Sequence, residues 1–312
     1  MIKPVHTNTV VAANYRAPAY PQSVFGFASF LDQIAFELGI NPLEMFQKNR
    51  IQKYKSKIPF TSNYLEECLI EGRSASVGTK NGTNPARMPG PKKHGIGMAL
   101  GGYPFRPGLG AATIRVNPDG TAHVLVGVTD IGTGAKTTMA IIAAEALGIP
   151  LNQLQLTNGD TDVTPYSVGE SGSRTTAFTG PAVIAAAEDV RKQIFNLAAG
   201  QLKVKAEELD LREGQVFVKA EPAQKIPLER AVQNAGELIG RATTNPSFKD
   251  VEGKSFAAHF AEVEVDTWTG HVKITRYVAA HDSGTILNPL AAESQVKGES
   301  CRESEWHFPR SC

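Results

Sequence analysis

The chain has 312 residues, of which 41% are hydrophobic and 20% charged, so it has the length and composition of one large or two ordinary globular domains. Its formal net charge of +1 gives no electrostatic basis for binding nucleic acid or an anionic membrane. The cysteines Cys68, Cys301 and Cys312 are odd in number and not clustered, which argues against a disulfide framework or a zinc site. No signal peptide and no apolar run of membrane-spanning length is visible, so we expect a cytoplasmic protein.

Helical patterns dominate the first part of the chain. Residues 23–39 carry apolar side chains at helical spacing and end at a glycine. Residues 41–44 predict the start of a second helix, with Asn as the N-cap, Pro at the first helical position and Glu three residues after the cap. Residues 63–71 predict a third helix, ended by Gly72. Residues 74–93 are rich in Gly, Asn, Pro, Ser and Lys and predict a solvated loop.

From residue 94 onward, strand patterns alternate with helical ones. Two hairpins are predicted, one from residues 112–116 and 122–128 and one from residues 256–265 and 271–280. Further strands are predicted over residues 154–157 and 215–219. Further helices are predicted over residues 137–147, 180–202 and 227–234, with a last helix opening at Asn288-Pro289. This mixture predicts the α+β class, with mixed and antiparallel sheets, hairpins and packed helices, rather than a doubly wound parallel sheet.

Two polar, glycine-rich turns stand before helices in the middle of the chain. Residues 130–134 follow a strand, and glycines there allow close backbone approach to a ligand while the helix N-terminus offers N–H groups to an anion. Most such junctions are only tight turns. Residues 159–162 and 169–176 combine small hydroxyl-bearing residues with one arginine, which suits a phosphate or equally an ordinary helix cap.

Two further segments combine polar residues with a turn. Residues 281–289, continuing to residue 296, join an apolar strand to a capped helix, and an ordinary junction of this kind is the simpler interpretation. Within that segment His281 is expected to be structural rather than catalytic, because no nucleophile stands beside it in sequence. Arg16 precedes the first helix, where it could orient a carbonyl or carboxylate or simply lie on the surface.

Taken in order, these segments resemble the molybdopterin-binding large subunit of the xanthine dehydrogenase/aldehyde oxidase family. Residues 95–99 are similar to its "GxGxA" strand, residues 143–150 to "AAExLGIP", and residues 280–298 to "HDCGxxINPxxxEGQVxGG". Residues 15–18 resemble its substrate-side loop, and residues 159–176 its cofactor-phosphate loop. The resemblance extends over residues 7–298.

The resemblance implies a cofactor and a reaction. The family binds molybdenum through the dithiolene of a molybdopterin, in bacteria often the cytosine dinucleotide. It hydroxylates aldehydes or aromatic N-heterocycles with oxygen derived from water, and the electrons leave through iron–sulfur clusters and FAD on partner subunits. In such enzymes the protein mainly orients a cofactor that carries the chemistry, so no cluster of protein metal ligands is expected.

The resemblance also assigns residues to the site. Arg16 faces the substrate. The cofactor is lined by residues from all three glycine-rich segments: Gly132, Thr133, Gly134, Gly172, Ser173, Arg174, Thr175, Asp282, Ser283, Gly284, Asn288 and Gln295. Thr133 stands where the family usually has Gln, so the hydrogen bond that the Gln side chain gives to the cofactor is not expected here. Ser283 stands where the family frequently has Cys.

The resemblance further predicts an incomplete subunit. Residues 1–93 correspond to part of a first molybdopterin-binding region, residues 94–298 to an incomplete second one, and residues 299–312 to no family motif. The general-base Glu of the family lies downstream of the matched part, and Glu299, Glu303 and Glu305 do not lie in its motif. We therefore expect a fragment that is inactive alone. It would need the missing N-terminal part of the large subunit, an iron–sulfur subunit and possibly an FAD subunit.

Two alternatives to this interpretation remain open. The chain is a non-catalytic cofactor-binding half of a split enzyme, working beside a separate N-terminal polypeptide, or it is an unexpressed gene remnant. Neighbouring reading frames for the missing segments would favour the split enzyme, and detection of the native protein by mass spectrometry would exclude the remnant.

The last residues suggest a shift of reading frame. Residues 299–312 can be written with permitted codons that, read one base earlier, encode Gly-Val-Met-Ser-Gly-Ile-Gly-Met-Ala-Leu-Ser-Glu-Glu-Leu. This is similar to the family's continuation, "GGxxxGIGxALxEE". We hypothesise a one-base deletion near codon 298, in the gene or in its reported sequence.

Overall fold

The computed structural model describes residues 8, 15–50, 58–76, 89–105, 108–246 and 250–307. The chain divides into two compact units. Unit 1 comprises Met1–Gln52, Asn63–Tyr103 and Ser255–Asp282, and unit 2 comprises Lys53–Ser62, Pro104–Lys254 and Ser283–Cys312. Most of the loop predicted over residues 74–93, and the last five residues of the tail, lie outside the described part.

The helices and strands alternate along the chain as the sequence predicts for an α+β protein. In chain order they are α1 (Tyr20–Leu38), α2 (Pro42–Asn49), α3 (Leu65–Ala75), β1 (Lys92–Pro104), β2 (Gly110–Val116), β3 (Ala122–Val126), α4 (Ala135–Leu147), β4 (Leu154–Asn158), α5 (Thr175–Leu202), β5 (Leu209–Arg212), β6 (Gln215–Val218), β7 (Glu221–Pro227), α6 (Leu228–Val232), β8 (Leu238–Thr244), β9 (Lys254–Asp266), β10 (Val272–Asp282) and α7 (Pro289–His307).

The first two helices of unit 1 form where their end signals predict. Gly39 closes α1 in a left-handed conformation (φ 65°), and Asn41 caps α2 because its side-chain oxygen accepts the N–H of Leu43 at 2.9 Å. The predicted cap is thereby confirmed. Among the described helices, none has both the length and the apolar composition required to cross a membrane.

Helix α3 runs past the residue at which the sequence predicted its end. It continues to Ala75, so the assignment of Gly72 as a stop is wrong. A Cβ atom at residue 72 would lie 2.4 Å from Cε2 of Phe260, so the glycine makes room for an aromatic ring rather than ending the helix.

The sheet of unit 1 has the strand order β1-β9-β10. The hairpin β9–β10 is antiparallel, with His259 opposite Ala279 and Asp282 opposite Phe256. Because side chains alternate between the faces of a strand, His259, Tyr277 and His281 share one face. Phe256 and Phe260 share the other face with Asp282, and all three are buried.

Unit 2 is built on a four-stranded sheet of order β4-β3-β2-β8. Strands β2–β3 and β2–β8 pair antiparallel, and β3–β4 pair parallel, so the sheet is mixed as predicted. The long helix α5 packs on β2 and β8 at very short range. A Cβ at Gly110 would lie 1.8 Å from the carbonyl oxygen of Phe178, and one at Gly240 would lie 2.1 Å from that of Ala186. A second sheet, β5-β6-β7, completes the unit.

Candidate functional site

In the first glycine-rich turn of unit 2, backbone N–H groups donate hydrogen bonds to the carboxylate of Asp130, a residue of the same turn. Asp130 Oδ1 accepts the N–H groups of Gly132 at 3.0 Å and Gly134 at 3.1 Å, and Oδ2 accepts that of Lys136 at 3.1 Å. Desolvation works to raise the pKa of Asp130, but these N–H donors outweigh it and hold the pKa below its usual value.

This arrangement corrects one expectation from the sequence. The N-terminus of α4 was expected to offer N–H groups to an anion. The carboxylate of Asp130 already accepts one of them, that of Lys136, together with the N–H groups of Gly132 and Gly134 in the turn before the helix. Gly132 and Gly134 have the left-handed φ values of 97° and 77° that this tight turn requires.

The third glycine-rich segment lies against the first. Gln295 in α7 donates its side-chain N–H to the carbonyl oxygen of Gly132 at 3.0 Å, although the two residues are 163 positions apart. Asn288 directly precedes α7, and its side-chain oxygen accepts the N–H of Ala291 at 3.2 Å. A Cβ at Gly134 would be only 3.0 Å from that of Ala291, so a glycine is needed for this close approach.

The second segment is tied to the start of the first by a glutamate. Glu170 Oε1 accepts the N–H of Thr129 at 3.2 Å, and its other oxygen accepts the hydroxyl of Thr175 in a short hydrogen bond. Gly172 and Ser173 are both left-handed, with φ of 68° and 55°. The three segments that the sequence singled out therefore converge in unit 2 through Glu170 and Gln295.

Glu170 is a residue whose role sequence reasoning missed. It lies inside the quoted motif, but its spacing from Thr129 and Thr175 carries no recognisable pattern. Gln295 was assigned to the cofactor, and its contact with Gly132 became visible only in the fold.

The remaining predicted residues lie in different surroundings. Asp282 is only 7% exposed, and its Oδ2 accepts the N–H of Tyr64 at 2.9 Å at the start of α3 in unit 1. Ser283 and Gly284, which open the last segment of unit 2, are exposed, as is Thr133. The side chain of Arg174 donates to the carbonyl oxygen of Ser171 within its own loop.

Unit 1 contains a row of hydrogen-bonded rings beside the predicted substrate-facing arginine. His259 Nδ1 lies 2.7 Å from the hydroxyl of Tyr277, and His259 Nε2 lies 2.8 Å from Nε2 of His281. Burial, and then the neighbouring His281, lower the pKa of His259 to about 4. Burial, and then the positive charge of Arg16, lower the pKa of His281. These pKa shifts favour neutral imidazoles near neutral pH.

The row was not predicted from the sequence, which considered His281 alone. Residues 259, 277 and 281 meet because the β9–β10 register places 259 opposite 279. The alternation of strand residues is the signal that would have found it. Within the described residues, no group of three or more His, Cys, Asp or Glu side chains is placed to hold a metal ion.

The sequence profile of the family described as "Molybdopterin cofactor-binding domain" matches residues 66–299, which is more than half of the chain. A putative xanthine dehydrogenase molybdenum-binding subunit, XdhA, of Escherichia coli (strain K12) is 32% identical over 319 aligned residues, which cover 95% of this chain and 41% of the relative. The aldehyde oxidoreductase molybdenum-binding subunit PaoC of Escherichia coli O157:H7 is 31% identical over 91% of this chain and 38% of its own length.

Solved structures agree with the fold. Quinoline 2-oxidoreductase from Pseudomonas putida 86 superposes with a TM-score of 0.76 at 24% identity, over 88% of this chain and 38% of that protein. Reconstituted CO dehydrogenase from Oligotropha carboxidovorans gives a TM-score of 0.74 at 24% identity, over 89% and 38%. The chain thus spans well under half the length of the proteins it matches. By its sequence and its fold, it belongs to the molybdopterin cofactor-binding domain family of the xanthine dehydrogenase and aldehyde oxidoreductase molybdenum-binding subunits.

Proposed function

We propose that this chain is the cofactor-binding part of a molybdenum hydroxylase large subunit that oxidises aldehydes or aromatic N-heterocycles, and that it is inactive alone. The observation that supports this most directly is the convergence of the three glycine-rich segments in unit 2. Gln295 joins α7 to the turn at Gly132, and Glu170 joins the loop before α5 to Thr129.

The residues present suit a pterin cofactor that is held by hydrogen bonds rather than by metal ligation. Backbone groups at left-handed glycines and side-chain hydroxyls and amides are dense where the segments meet, and an arginine stands among them. The residues proposed to hold the cofactor are Gly132, Thr133, Gly134, Gly172, Ser173, Arg174, Thr175, Ser283, Gly284, Asn288 and Gln295. When bound, the molybdenum cofactor supplies the hydroxylation chemistry.

The carboxylate of Asp130 limits where an anionic part of the cofactor can bind. It already accepts the N–H of Lys136 in the first turn of α4 and that of Gly132 before the helix, so a phosphate there would meet a like charge. We therefore assign the phosphates to the loop around Arg174 and the pterin to the turn at Gly132. Within unit 1, Asp282 accepts the N–H of Tyr64 and so joins the end of β10 to the start of α3.

In unit 1, Arg16 is proposed to face the substrate. Its positive charge contributes, after burial, to the lowered pKa of His281, which supports a position of the guanidinium near that imidazole. Because the imidazoles of His259 and His281 are neutral and the guanidinium is always charged, Arg16 is the group that attracts a carbonyl or carboxylate oxygen.

The cofactor is proposed to be molybdopterin cytosine dinucleotide with molybdenum. Iron–sulfur clusters and FAD are placed on partner subunits, and the remainder of the large subunit on another segment or chain. The family match ends at residue 299, which supports ending the second cofactor-binding region at residue 298. None of the proposed site residues is a general base, and such groups contribute about 10²–10⁴-fold to rate.

The test is to purify the chain from a host that makes the molybdenum cofactor and to measure molybdenum and pterin per chain. We expect substoichiometric amounts of both, and no oxidation of aldehydes or purines with a dye acceptor. Arg174→Gln should lower the retained molybdenum and pterin, whereas Arg212→Gln, at an exposed position in β5, should not. Amounts no higher than those on an unrelated protein would refute cofactor binding. Turnover on the order of 1–10³ per second would refute inactivity.

A further inference from the structure

The four-stranded sheet of unit 2 has a polar face on the side opposite α5. Residues of β2 alternate between buried and partly buried, and the buried set packs toward α5. The other set puts Thr113 and Arg115 on the polar face. The β2–β8 register adds Arg241 and Thr243 to it. Because Arg241 pairs with Thr113, Arg115 and Arg241 are diagonal neighbours, and side chains of their length can reach a common ligand.

A loop turns part of this polar face into a cavity. Residues 162–165, in the loop after β4, bound with the strands a cavity of about 470 Å³, and all of its lining belongs to unit 2. Gly127 in β3 permits the close approach of the loop, since a Cβ there would lie 2.1 Å from the carbonyl oxygen of Pro165. Asp160 fixes the start of the loop, because its Oδ1 accepts the N–H of Asp162 at 2.9 Å. The cavity therefore has a preformed wall and the size of a small-molecule site.

The two arginines of the cavity bring donors that the described residues leave unpaired. Nε of Arg115 is shielded from solvent and has no hydrogen-bond partner in the described part of the chain. Its Nη1 lies 3.8 Å from Oε1 of Glu237, which is too far for a hydrogen bond. Arg241 donates its backbone N–H to Asp189, but its guanidinium has no partner among the described residues. A shielded donor of this kind normally pairs with water, an ion or a ligand.

These side chains suit an anion that has several oxygen atoms. Guanidinium groups bind carboxylate and phosphate oxygens through paired N–H donors. A phosphate group has three terminal oxygens, so it can also accept the hydroxyls of Thr113 and Thr243. One carboxylate, that of Asp162, lines the cavity against two arginines, which leaves the lining with an excess of positive charge. We propose that this cavity binds a small molecule bearing a phosphate group, with Arg115 and Arg241 as its cationic partners.

This phosphate cavity is separate from the site proposed for the molybdenum cofactor. The cofactor's phosphates are assigned to the loop around Arg174, and none of the residues proposed to hold the cofactor lines the cavity. The inference therefore stands whether or not the chain binds molybdopterin.

The test is isothermal titration calorimetry of the full chain with inorganic phosphate, at constant ionic strength. Arg241→Gln should weaken phosphate binding by about ten- to hundredfold, because it removes charged hydrogen bonds. Asp162→Asn should strengthen it by about twofold or more, because it removes the opposing carboxylate. The matched control is Arg230→Gln, at an exposed position in α6, which should bind phosphate as wild type does.

Circular dichroism melting checks that each variant is folded. If Arg241→Gln does not fold, Thr113→Val is the second variant, and loss of its hydroxyl should weaken binding by about threefold or more. A folded variant that binds phosphate as tightly as wild type overturns the proposal, as does a wild-type chain that binds no phosphate.

Two further measurements identify the ligand and its place. Acetate is the second probe, and binding of acetate in preference to phosphate overturns the assignment of the ligand. Arg174→Gln should lower the retained molybdenum and pterin but leave the affinity for inorganic phosphate unchanged. If Arg174→Gln abolishes phosphate binding and Arg241→Gln does not, the phosphate binds at the cofactor loop and the proposed cavity site is wrong.

Discussion

Nε2 of His259 and Nε2 of His281 lie 2.8 Å apart on one face of the β9–β10 hairpin. At this distance one neutral imidazole donates its Nε2–H to the Nε2 of the other, so a single proton lies between them. Protonation of the accepting Nε2 would break this hydrogen bond and place two N–H groups against each other. Tyr277, on the other side of His259, fixes the ring from behind through Nδ1. The pair is therefore expected to resist protonation as a unit.

This pair makes stability depend on pH. The pKa of His259 is about 4 in the folded chain and 6.5 in the unfolded one, so above pH 6.5 both states are neutral and the pair has no effect on the pH dependence. As the pH falls from 6.5 to about 4, His259 takes up a proton in the unfolded chain but stays neutral in the folded chain. The free energy of unfolding should then fall by about 3 kcal/mol at most.

Urea unfolding at a series of pH values measures this effect. His259→Gln should flatten the dependence between pH 6.5 and 4. His271→Gln, at an exposed position in the same hairpin, should retain it. An unchanged slope in the His259 variant would show that other groups carry the dependence.

Removing Glu170 should loosen the loop before α5. Glu170→Ala leaves the N–H of Thr129 and the hydroxyl of Thr175 without their carboxylate acceptor, and hydrogen bonds to charged groups contribute about 1.5–3 kcal/mol. We expect amide hydrogen exchange at Thr129 and in the first turn of α5 to accelerate by at least about tenfold. Glu188→Ala, an exposed change on α5, is the matched control. Equal exchange rates in the two variants would contradict the assigned role.

Removing the Asp130 carboxylate should destabilise the start of α4. Asp130→Ala deletes the acceptor of three backbone N–H groups, and loss of a helix cap typically costs about 0.5–2 kcal/mol. Thermal unfolding of Asp130→Ala and Asp130→Asn against wild type measures the cost. The amide retains one oxygen acceptor, so the asparagine variant should be intermediate. Asp162→Asn, an exposed change in the neighbouring loop, should unfold at the wild-type temperature.

Two Gly→Ala changes in helices should have opposite effects on stability. Gly26 in α1 has nothing within 4 Å of a built Cβ, so Gly26→Ala should stabilise by about 0.5–1 kcal/mol through helix propensity. Gly72 in α3 would place Cβ 2.4 Å from the ring of Phe260, so Gly72→Ala should destabilise by about 1–3 kcal/mol. Denaturant midpoints of both variants decide this. If Gly72→Ala stabilises as Gly26→Ala does, the Phe260 ring has moved aside at no cost.

The frame-shift hypothesis for residues 299–312 is tested at the gene. Resequencing the locus across codon 298 should reveal a missing base, and the restored frame should continue into a glycine-rich motif that contains the general-base Glu. A stop codon immediately in that frame, or no Gly-x-Gly-Glu motif further on, would show that the tail is native.

Local signals in the sequence predicted the elements that depend on local interactions. The cap at Asn41, the glycine stop at Gly39 and both hairpins are confirmed because neighbouring residues determine them. The misassigned stop at Gly72 shows the limit of such signals. A glycine is required there because the ring of Phe260, which is distant in sequence, occupies the space that a Cβ would need. Helix α5 begins at Thr175 rather than at the predicted residue 180, because the helix includes polar residues that the apolar pattern omits.

Elements held by distant partners were missed. Strand β8 contains Gly240, Arg241 and two threonines and has no apolar alternation, yet it forms because β2 pairs with it along its whole length. Strands β5 and β7, of four and seven residues, pair only with β6. The site shows the same division, because its glycine turns were recognised from family motifs while the contacts of Glu170 and Gln295 depend on the folded chain.

The strand order of unit 1 has a consequence for synthesis on the ribosome. Strand β1 ends at Pro104 and its partner β9 begins at Lys254, so β1 must wait while about 150 residues are translated. At about 5–20 residues per second this wait lasts roughly 8–30 seconds. During it, the nascent chain presents an unpaired strand edge, a template for association with other chains. Chaperone contact with β1 and the phenylalanines of α1 is therefore expected to last until β9 and β10 emerge.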